Sequence, residues 1–329
     1  MGDPPGPYDC VVIGAGPAGL SAALNLIRAR LTVLVVDSDR PRHAATMVSH
    51  GFLTRDGVPP HELRRLAREE VESYPGAVIL RRRSVQTVVQ TVGQTEGRPG
   101  AESEPDSVSH PFTVVIAGRS PSAAHSVRAR TVLVATGLRE TLPAVPGIRG
   151  FYGMSLFSCA ACDGYELTDR PLALIGETDD LVSRALLVAQ WSRPLTVLTN
   201  GTAALGAGEE ARLAGRGITV ERRRIDALEG DRGALTAVRL VGGDRIPVTR
   251  GFVRPLWHPV VDFLAGLLIE TDPGGHLVTD RAGRTSVPGL YAAGEVAAPG
   301  PQQLIVAAGA GARTAAIITH DLLGVRIPH

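Results

Sequence analysis

The chain has 329 residues, enough for two domains, since domains commonly contain about 100–200 residues. Its hydrophobic fraction of 44% and its mean hydropathy of +0.09 are typical of a globular protein with a sizeable core. The formal net charge of +1 gives no electrostatic reason to expect a nucleic acid or an anionic membrane as partner. No apolar run reaches the ~18 residues of a membrane helix, and the Gly/Pro-rich start lacks the apolar core of a signal peptide, so we expect a cytoplasmic location.

The first predicted element is a β-α-β unit that ends at Asp37. An apolar strand from Cys10 to Ile13 leads into a glycine turn, then a helical pattern, then a second apolar strand. The turn reads GAGPAG, in which the first glycine allows a tight turn, the second lets a pyrophosphate approach the backbone, and the third lets the helix pack on the strand. The helix N-terminus would face the phosphates, and the carboxylate would accept a ribose hydroxyl. The cofactor-binding residues predicted here are Gly14, Gly16, Pro17, Ala18, Gly19 and Asp37.

Three strand-like runs follow, at 86–92, 112–117 and 131–135. The polar stretch between the first two, at 93–110, is predicted to be a flexible hairpin loop. The third run ends on Ala135, Thr136 and Gly137, a turn of small residues that would let a second segment of backbone approach the cofactor.

A second β-α-β pattern occupies 171–201, and a further strand at 287–294 ends in Gly294 and Glu295. A helix of small residues is predicted from Gln303 to Leu323. We therefore predict an α/β protein with two Rossmann-like dinucleotide-binding domains, the second inserted into the first. The outer domain would comprise 1–147 and 254–329, and the inner domain 148–253.

Two cysteines, Cys159 and Cys162, stand in the sequence FSCAACDGYE. Such a pair can bind a metal, cross-link a fold, or serve as a reversible disulfide. A structural zinc site needs about four ligands, and the third cysteine, Cys10, lies in the first apolar strand, so no metal site is predicted. A redox pair fits a reducing compartment, and a helix that starts between the cysteines would lower a thiol pKa. Asp163 follows directly and is either the acid/base that moves thiol protons or a structural first-turn acid.

These motifs together resemble the low-molecular-weight thioredoxin reductase family of flavoprotein disulfide oxidoreductases. The matching elements are GAGPAG, the ATG turn at 135–137, CAACDG, and YAAGE near the C-terminus. The resemblance implies FAD in the outer domain, a redox disulfide in the inner one, and a homodimer. It also implies that Cys162 faces the flavin and Cys159 the substrate. Gly294 and Glu295 would lie at the ribityl or pyrophosphate part of FAD, although the family usually has Asp at the second position.

Gln302 and Gln303 match the segment that the family places at the pyrimidine edge of the flavin. The following helix would direct its positive end at a reduced flavin. His50 is predicted to contact the cofactor as well, because it opens the segment HGFLTRDGVPPHEL, which replaces the usual family loop beside the flavin. His50, His61 and His258 are alternatives to Asp163 as the base.

The inner nucleotide turn departs from the family pattern. It reads Gly176-Glu177-Thr178-Asp179-Asp180-Leu181. Thr178 replaces the second glycine, and the carboxylates would repel a diphosphate at a helix N-terminus. The segment after the next strand, LTVLTNGTAALG, has no arginine for a 2′-phosphate. The alternative is a site that binds NADPH by another arrangement.

This departure and the segment at 50–63 are similar to the dithiol oxidases of microbial natural-product pathways, which form the disulfides of compounds such as gliotoxin and holomycin. The resemblance implies a small-molecule dithiol substrate and O2 as electron acceptor. Two rival interpretations remain open. One is a disulfide reductase fed by NADPH or ferredoxin, and the other is a non-catalytic flavoprotein that binds thiols or senses redox state.

Overall fold

The computed structural model describes residues 6–91, 109–118, 124–202, 205–297 and 300–325. The predicted loop at 93–110 lies almost entirely outside the described residues. No helix within the described ranges is both long enough and apolar enough to cross a membrane.

The strands follow the apolar runs of the sequence. In chain order they are β1 (Tyr8–Ile13), β2 (Val33–Asp37), β3 (Ala77–Arg81), β4 (Val85–Gln90), β5 (Phe112–Ile116), β6 (His125–Val134), β7 (Leu138–Thr141), β8 (Leu156–Phe157), β9 (Leu172–Gly176), β10 (Leu195–Leu198), β11 (Ile218–Glu221), β12 (Ile225–Asp231), β13 (Ala234–Leu240), β14 (Arg245–Pro247), β15 (Arg250–Arg254), β16 (Leu256–Pro259) and β17 (Leu290–Ala292).

The α-helices in chain order are α1 (Pro17–Arg28), α2 (Pro60–Glu72), α3 (Ala160–Asp163), α4 (Leu181–Val188), α5 (Ala207–Ala214) and α6 (Leu304–Leu322). Short 3-10 helices occur at Arg42–Ala45, Ile148–Gly150, Tyr165–Leu167 and Asp262–Leu264.

The chain forms two compact units. Unit 1 comprises 1–42, 61–139 and 258–329, and unit 2 comprises 43–60 and 140–257. The segment 43–60, which the sequence analysis placed in the outer domain, packs in unit 2. A Cβ added to Gly153 would lie 2.0 Å from the carbonyl oxygen of Ala45, so only a glycine allows this close approach.

Unit 1 is built on a seven-stranded sheet with the order β3-β2-β1-β6-β5-β4, and β17 also pairs with β6. The strands β3, β2, β1, β6 and β17 run parallel, whereas β4, β5 and β6 are antiparallel neighbours. Val33–Asp37 is buried along its whole length, as expected for a strand covered on both faces. Helix α1 packs against α6, where a Cβ on Gly311 would lie 2.0 Å from the carbonyl oxygen of Ala18.

Unit 2 has a parallel sheet with the order β11-β10-β9-β15-β8 and a separate antiparallel sheet of β12, β13 and β14. One apolar core lies around α4 and β9, and a second joins β9 to the antiparallel sheet. Each unit thus has its own parallel sheet with a glycine turn after one of its strands, which confirms the predicted fold class.

Candidate functional site

The glycine turn after β1 has the close backbone contacts that a dinucleotide-binding turn requires. Gly14 has φ +109°, and a Cβ there would lie 2.4 Å from the carbonyl oxygen of Ala135. A Cβ on Gly19 would lie 1.9 Å from the carbonyl oxygen of Gly14. In contrast, a Cβ on Gly16 would meet no protein atom within 4 Å. Open space therefore lies beside the second glycine, where a pyrophosphate is expected to approach.

The N-terminus of α1 directly follows this open space. Gly16 is the N-cap and Pro17 is the first helical residue, a position where the missing N–H of proline costs nothing. Ala18 is buried beneath α6. No acidic side chain stands in the first turn, so the positive end of the helix dipole is available to an anion.

Asp37, the predicted ribose acceptor, is already engaged by two arginines of α2. Its side-chain oxygens accept hydrogen bonds from Arg64 at 2.7 and 2.9 Å, and its second oxygen also pairs with Arg68. Arg64 further donates to the carbonyl oxygen of Ala15 in the glycine turn, at 3.2 Å. Asp37, the last residue of β2, therefore links α2 to the sheet, and Arg64 of the same helix contacts the glycine turn.

The turns after β6 and β17 lie at the same edge of the unit 1 sheet as the glycine turn. Gly137 and Gly294 both have positive φ, +65° and +79°. A Cβ on Gly137 would lie 4.0 Å from a carboxylate oxygen of Glu295, which forms an ion pair with Arg42. Thr136 donates its hydroxyl to the carbonyl oxygen of Val260 at 2.7 Å.

The two predicted glutamines stand at the start of α6. Gln303 is the N-cap of this helix, and Gln302 precedes it. Both side chains are partly exposed. Like the other predicted contacts with the cofactor, their role at the flavin stays a prediction.

In unit 2, the cysteine pair is a disulfide, with a Cα–Cα distance of 5.2 Å between Cys159 and Cys162. Helix α3 begins directly after Cys159, whose carbonyl oxygen accepts the backbone N–H groups of Cys162 and Asp163 at 3.2 and 3.1 Å. Trp191 supports the end of this turn, since a Cβ on Gly164 would lie 2.6 Å from its ring. Both cysteines are partly exposed.

Asp163 directly follows Cys162 and is partly buried. Burial raises the pKa of its carboxyl to about 7, while the charge of His50 acts to lower that pKa and the charge of Glu166 acts to raise it. An acid with a pKa near neutrality can both accept and release a proton at physiological pH.

His50 lies within unit 2, close to this acid. Its Nε2 is 3.5 Å from Glu166 and its Nδ1 is 3.5 Å from Asp56. The predicted contact of His50 with the cofactor is not tested by these distances. The other two histidines, His61 and His258, are exposed.

The inner nucleotide turn is occupied by its own polar network. Asp180, the N-cap of α4, accepts hydrogen bonds from Thr178 at 2.7 Å and from Arg254 at 2.8 and 3.0 Å. The guanidinium of Arg254 stacks 4.0 Å from the ring centroid of Trp257. Glu177 accepts from Asn200 at 2.6 Å. The carboxylates of Glu177 and Asp180 thus place negative charge near the positive N-terminal end of the α4 dipole, and each is already hydrogen-bonded to another side chain of the protein.

Comparison with known proteins decides the family. The sequence profile described as pyridine nucleotide-disulphide oxidoreductase matches residues 8–311. The chain belongs to this family.

Individual relatives place this oxidoreductase near thioredoxin reductases. A solved structure of the putative thioredoxin reductase TrxB from Bacillus anthracis has 37% identity and a TM-score of 0.82, and covers 97% of this chain and 99% of that one. The structure of HlmI has 36% identity and a TM-score of 0.85, covering 96% of this chain and 93% of that one. A probable thioredoxin reductase from Arthroderma benhamiae is 31% identical over 59% of this chain, and the match spans only 44% of that protein.

The oxidoreductase is thus thioredoxin reductase-like, and its cofactor is FAD. The residues of unit 1 fit this cofactor. Gly16 leaves room for a pyrophosphate, α1 offers a positive helix end, and Arg42 adds a cation beside Glu295. Bound FAD would supply a two-electron acceptor.

Sequence reasoning missed several residues of these sites. Arg64 and Arg68 are spaced by one helical turn in α2, a pattern that indicates a shared face but names no partner. Arg254 and Trp257 lie more than 70 residues after the turn that they stabilise. Only the fold brings these groups together.

Proposed function

We propose that this oxidoreductase is an FAD-dependent dithiol oxidase that forms an intramolecular disulfide in a small dithiol of the natural-product type, with O2 as electron acceptor. We further propose that it works as a homodimer in the cytoplasm. The observation that carries the proposal is the contrast between the two glycine turns. One leaves open space beside its second glycine, whereas the other is filled by the ion pair of Asp180 and Arg254.

The charges at the inner nucleotide turn also argue against a bound nicotinamide dinucleotide. A nicotinamide dinucleotide would bring a diphosphate to the N-terminus of α4, where the carboxylate of Glu177 places negative charge. At the same place Asp180 engages Arg254 and Arg184 in ion pairs, so these arginines already have a partner within the protein. Although burial opposes it, hydrogen bonds from Thr178 and Arg254 hold the pKa of Asp180 below its usual range, so this carboxyl is ionised at neutral pH. Without a nicotinamide donor, electrons would enter at the disulfide.

The proposed reaction starts when a substrate thiol gives its proton to Asp163 and its sulfur attacks Cys159. The Cys159–Cys162 bond breaks, and Cys162 leaves as a thiolate. The second substrate thiol then attacks the mixed disulfide, which releases Cys159 and the oxidised cyclic product. The substrate loses two electrons and two protons. Bound FAD, which the glycine turn at Gly14, Gly16 and Gly19 would hold, would supply the acceptor for the electron pair of the reduced cysteines, so that the Cys159–Cys162 bond forms again. O2 would be the final acceptor, and with two electrons and two protons it would give hydrogen peroxide.

The test is oxygen consumption by the purified yellow protein with a panel of small dithiols. We expect O2 uptake that does not require NADPH and is lost in Cys159→Ser and Cys162→Ser while FAD stays bound. Cys10→Ala is the matched control, because Cys10 is fully buried in β1 and burial raises the pKa of its thiol to about 12. Full activity in Cys162→Ser would overturn the mechanism.

A disulfide reductase is the second candidate, and one observation favours it. Arg222 and Arg224 follow β11 in sequence and lie beside the segment after β10. Arg222 donates to the carbonyl oxygen of Leu205 at 2.8 Å, and a Cβ on Gly201 would lie 2.9 Å from the side chain of Arg224. These arginines supply positive charge that the loop itself lacks. Anaerobic addition of NADPH separates the candidates, since prompt bleaching of the flavin would favour the reductase and reject the oxidase.

A further inference from the structure

The carboxylate of Asp37 has all of its acceptor positions occupied by donors of the protein. Its Oδ1 accepts the backbone N–H of Asp39 at 2.8 Å and a guanidinium N–H of Arg64 at 2.7 Å. Its Oδ2 accepts a second N–H of Arg64 at 2.9 Å and one from Arg68. A carboxylate offers about four lone-pair positions, two on each oxygen, so no position remains for a ribose hydroxyl. The side chain of Asp37 is also only 3% exposed.

Asp39, two residues after the end of β2, has the acceptor capacity that Asp37 lacks. Its Oδ1 accepts from Arg64 at 2.8 Å and from Arg68 at 3.0 Å. Within the described ranges of the chain, its Oδ2 has one partner, the Nε of Arg82 at 3.5 Å, which is longer than an ordinary N–H···O hydrogen bond. The side chain of Asp39 is 30% exposed and that of Arg82 is 85% exposed. A ligand hydroxyl can therefore donate to Oδ2 of Asp39 without displacing a buried partner.

One arginine links Asp39 to the glycine turn after β1. The guanidinium of Arg64 donates through Nε to the carbonyl oxygen of Ala15 at 3.2 Å and through Nη1 to Asp39. The side chain of Arg64 is 11% exposed, so this link is largely buried. In a dinucleotide-binding unit the pyrophosphate lies on the glycine turn, and an acid after the second strand accepts a ribose hydroxyl. Asp39 is thus held at the edge of the sheet where the adenosine ribose is expected.

The backbone of Asp39 gives a second reason to look to its side chain. Its φ of +59° lies in the left-handed region, which glycine adopts more readily than any other residue. A glycine would therefore suit this turn, and the carboxylate must be explained by its contacts. Hydrogen bonding to Arg68 holds the pKa of Asp39 below its usual range, so the carboxylate is ionised at neutral pH and acts only as an acceptor.

We propose that Asp39, rather than Asp37, accepts a hydroxyl of the adenosine ribose of FAD. Asp37 is then a positioning residue, which fixes Arg64 and Arg68 so that they orient Asp39. Hydrogen bonds to an ionised acceptor are stronger than those between neutral groups, so one such contact contributes measurably to cofactor affinity. Both candidate thiol reactions use FAD, so this contact is independent of which reaction the protein performs.

Binding of ribose-modified cofactors to full-length apoprotein tests this contact. FAD is compared with analogues that lack the 2′- or the 3′-hydroxyl of the adenosine ribose, and affinity is measured by flavin fluorescence. We expect the wild type to bind at least one analogue about tenfold more weakly than FAD, because a hydrogen bond to a charged group is lost. Asp39→Gly keeps the left-handed backbone and removes the carboxylate. It should bind FAD about tenfold more weakly and no longer discriminate between FAD and that analogue.

Asp169→Gly is the matched control for this substitution. Asp169 is exposed, lies in unit 2 and has φ +61°, so the same change is made in the same backbone conformation away from the residues that fit FAD. This variant should keep the wild-type affinity for FAD and the wild-type preference for the hydroxyl. A loss of the preference here would overturn the assignment to Asp39.

Asp37→Asn separates the positioning residue from the binding residue. It removes the charge from a buried partner of Arg64 and Arg68, so it should lower the midpoint of thermal unfolding more than Asp39→Gly does, yet keep the preference for the ribose hydroxyl. A wild type that prefers neither hydroxyl, or an Asp39→Gly variant that keeps the preference, would overturn the proposal. A preference lost in Asp37→Asn and kept in Asp39→Gly would return the contact to Asp37. Even where Asp37→Asn fails to fold, the result for Asp39→Gly decides.

Discussion

At the residue scale, the chemistry of this oxidoreductase depends on where Asp163 is buried. An exposed aspartate is a poor acid at neutral pH, whereas a carboxyl with a pKa of about 7 is half protonated there. The same burial has a cost in stability, because the folded state retains a proton that the unfolded chain has already lost. Function and stability are therefore opposed at this position.

Replacing Asp163 with Asn should stabilise the protein in a pH-dependent way. Below pH 3.8 the carboxyl of Asp163 is protonated in both the folded and the unfolded state, so it does not contribute to the pH dependence of the free energy of unfolding. As pH rises from 3.8 to about 7, only the unfolded state ionises, so the wild type loses stability relative to the variant; above that the difference is constant. We expect Asp163→Asn to gain about 1–3 kcal/mol at pH 8 and little at pH 4, by urea unfolding.

Asp169→Asn is the control for this measurement, because Asp169 is exposed and close in sequence. The control should unfold with the same pH dependence as the wild type. A variant Asp163→Asn that is no more stable at pH 8 than at pH 4 would contradict the raised pKa.

At the element scale, the two strand–turn–helix motifs have the same order of elements but different residues in their turns. After β1, three glycines bring backbone segments together and leave space beside Gly16. After β9, Asp180 pairs with Arg254, which stacks on Trp257. The first turn was predictable from the sequence, because the spacing of its glycines indicates the positions at which a Cβ would clash with the backbone. The ion pair in the second turn was not predictable, because Arg254 and Trp257 lie on the distant strands β15 and β16.

Alanine substitutions in the first turn should separate folding from FAD binding. Gly19→Ala would place a Cβ 1.9 Å from the carbonyl oxygen of Gly14, so we expect misfolding and loss of FAD together. Gly16→Ala meets no protein atom within 4 Å, so the fold should persist while FAD binds at least about tenfold more weakly, or 1.4 kcal/mol. Circular dichroism and fluorescence titration of FAD measure the two effects.

Gly309→Ala provides the comparison, since a Cβ there also meets nothing within 4 Å and the residue is exposed on α6. This variant should bind FAD normally and gain up to about 1 kcal/mol from helix propensity. Normal FAD affinity in Gly16→Ala would show that the open space is not used by the pyrophosphate.

At the scale of the whole molecule, each unit supports one half of the proposed chemistry. Unit 1 contains the residues that fit FAD, and unit 2 contains the disulfide with its acid and its histidine. The loop at 43–60 belongs to unit 2 in space although it follows the second strand of unit 1 in sequence. A linear domain division could not reveal this, because the assignment depends on contacts with Gly153 and Glu166.

Hydrogen exchange measured by mass spectrometry should show this division of roles. Adding FAD to apoprotein should protect backbone amides at 14–19, 135–137 and 294–295, since ligand binding stabilises the state that binds it. Adding NADPH to holoenzyme should leave 176–181 unchanged, because the turn there is filled by its own side chains. Clear protection at 176–181 by NADPH would restore the reductase interpretation.

The sequence by itself determined the fold class, the glycine turn after β1 and the cysteine pair, because glycine spacing, apolar strands and closely spaced cysteines are local patterns. Tertiary structure decided which charges surround them. Arg64 and Arg68 pair with Asp37, and Arg254 pairs with Asp180. The charge of His50 acts on the pKa of Asp163 although the two residues are more than 100 positions apart in the chain. Burial and Coulomb interactions act through space and depend on groups distant in sequence, so the properties of Asp163 follow only from the folded chain.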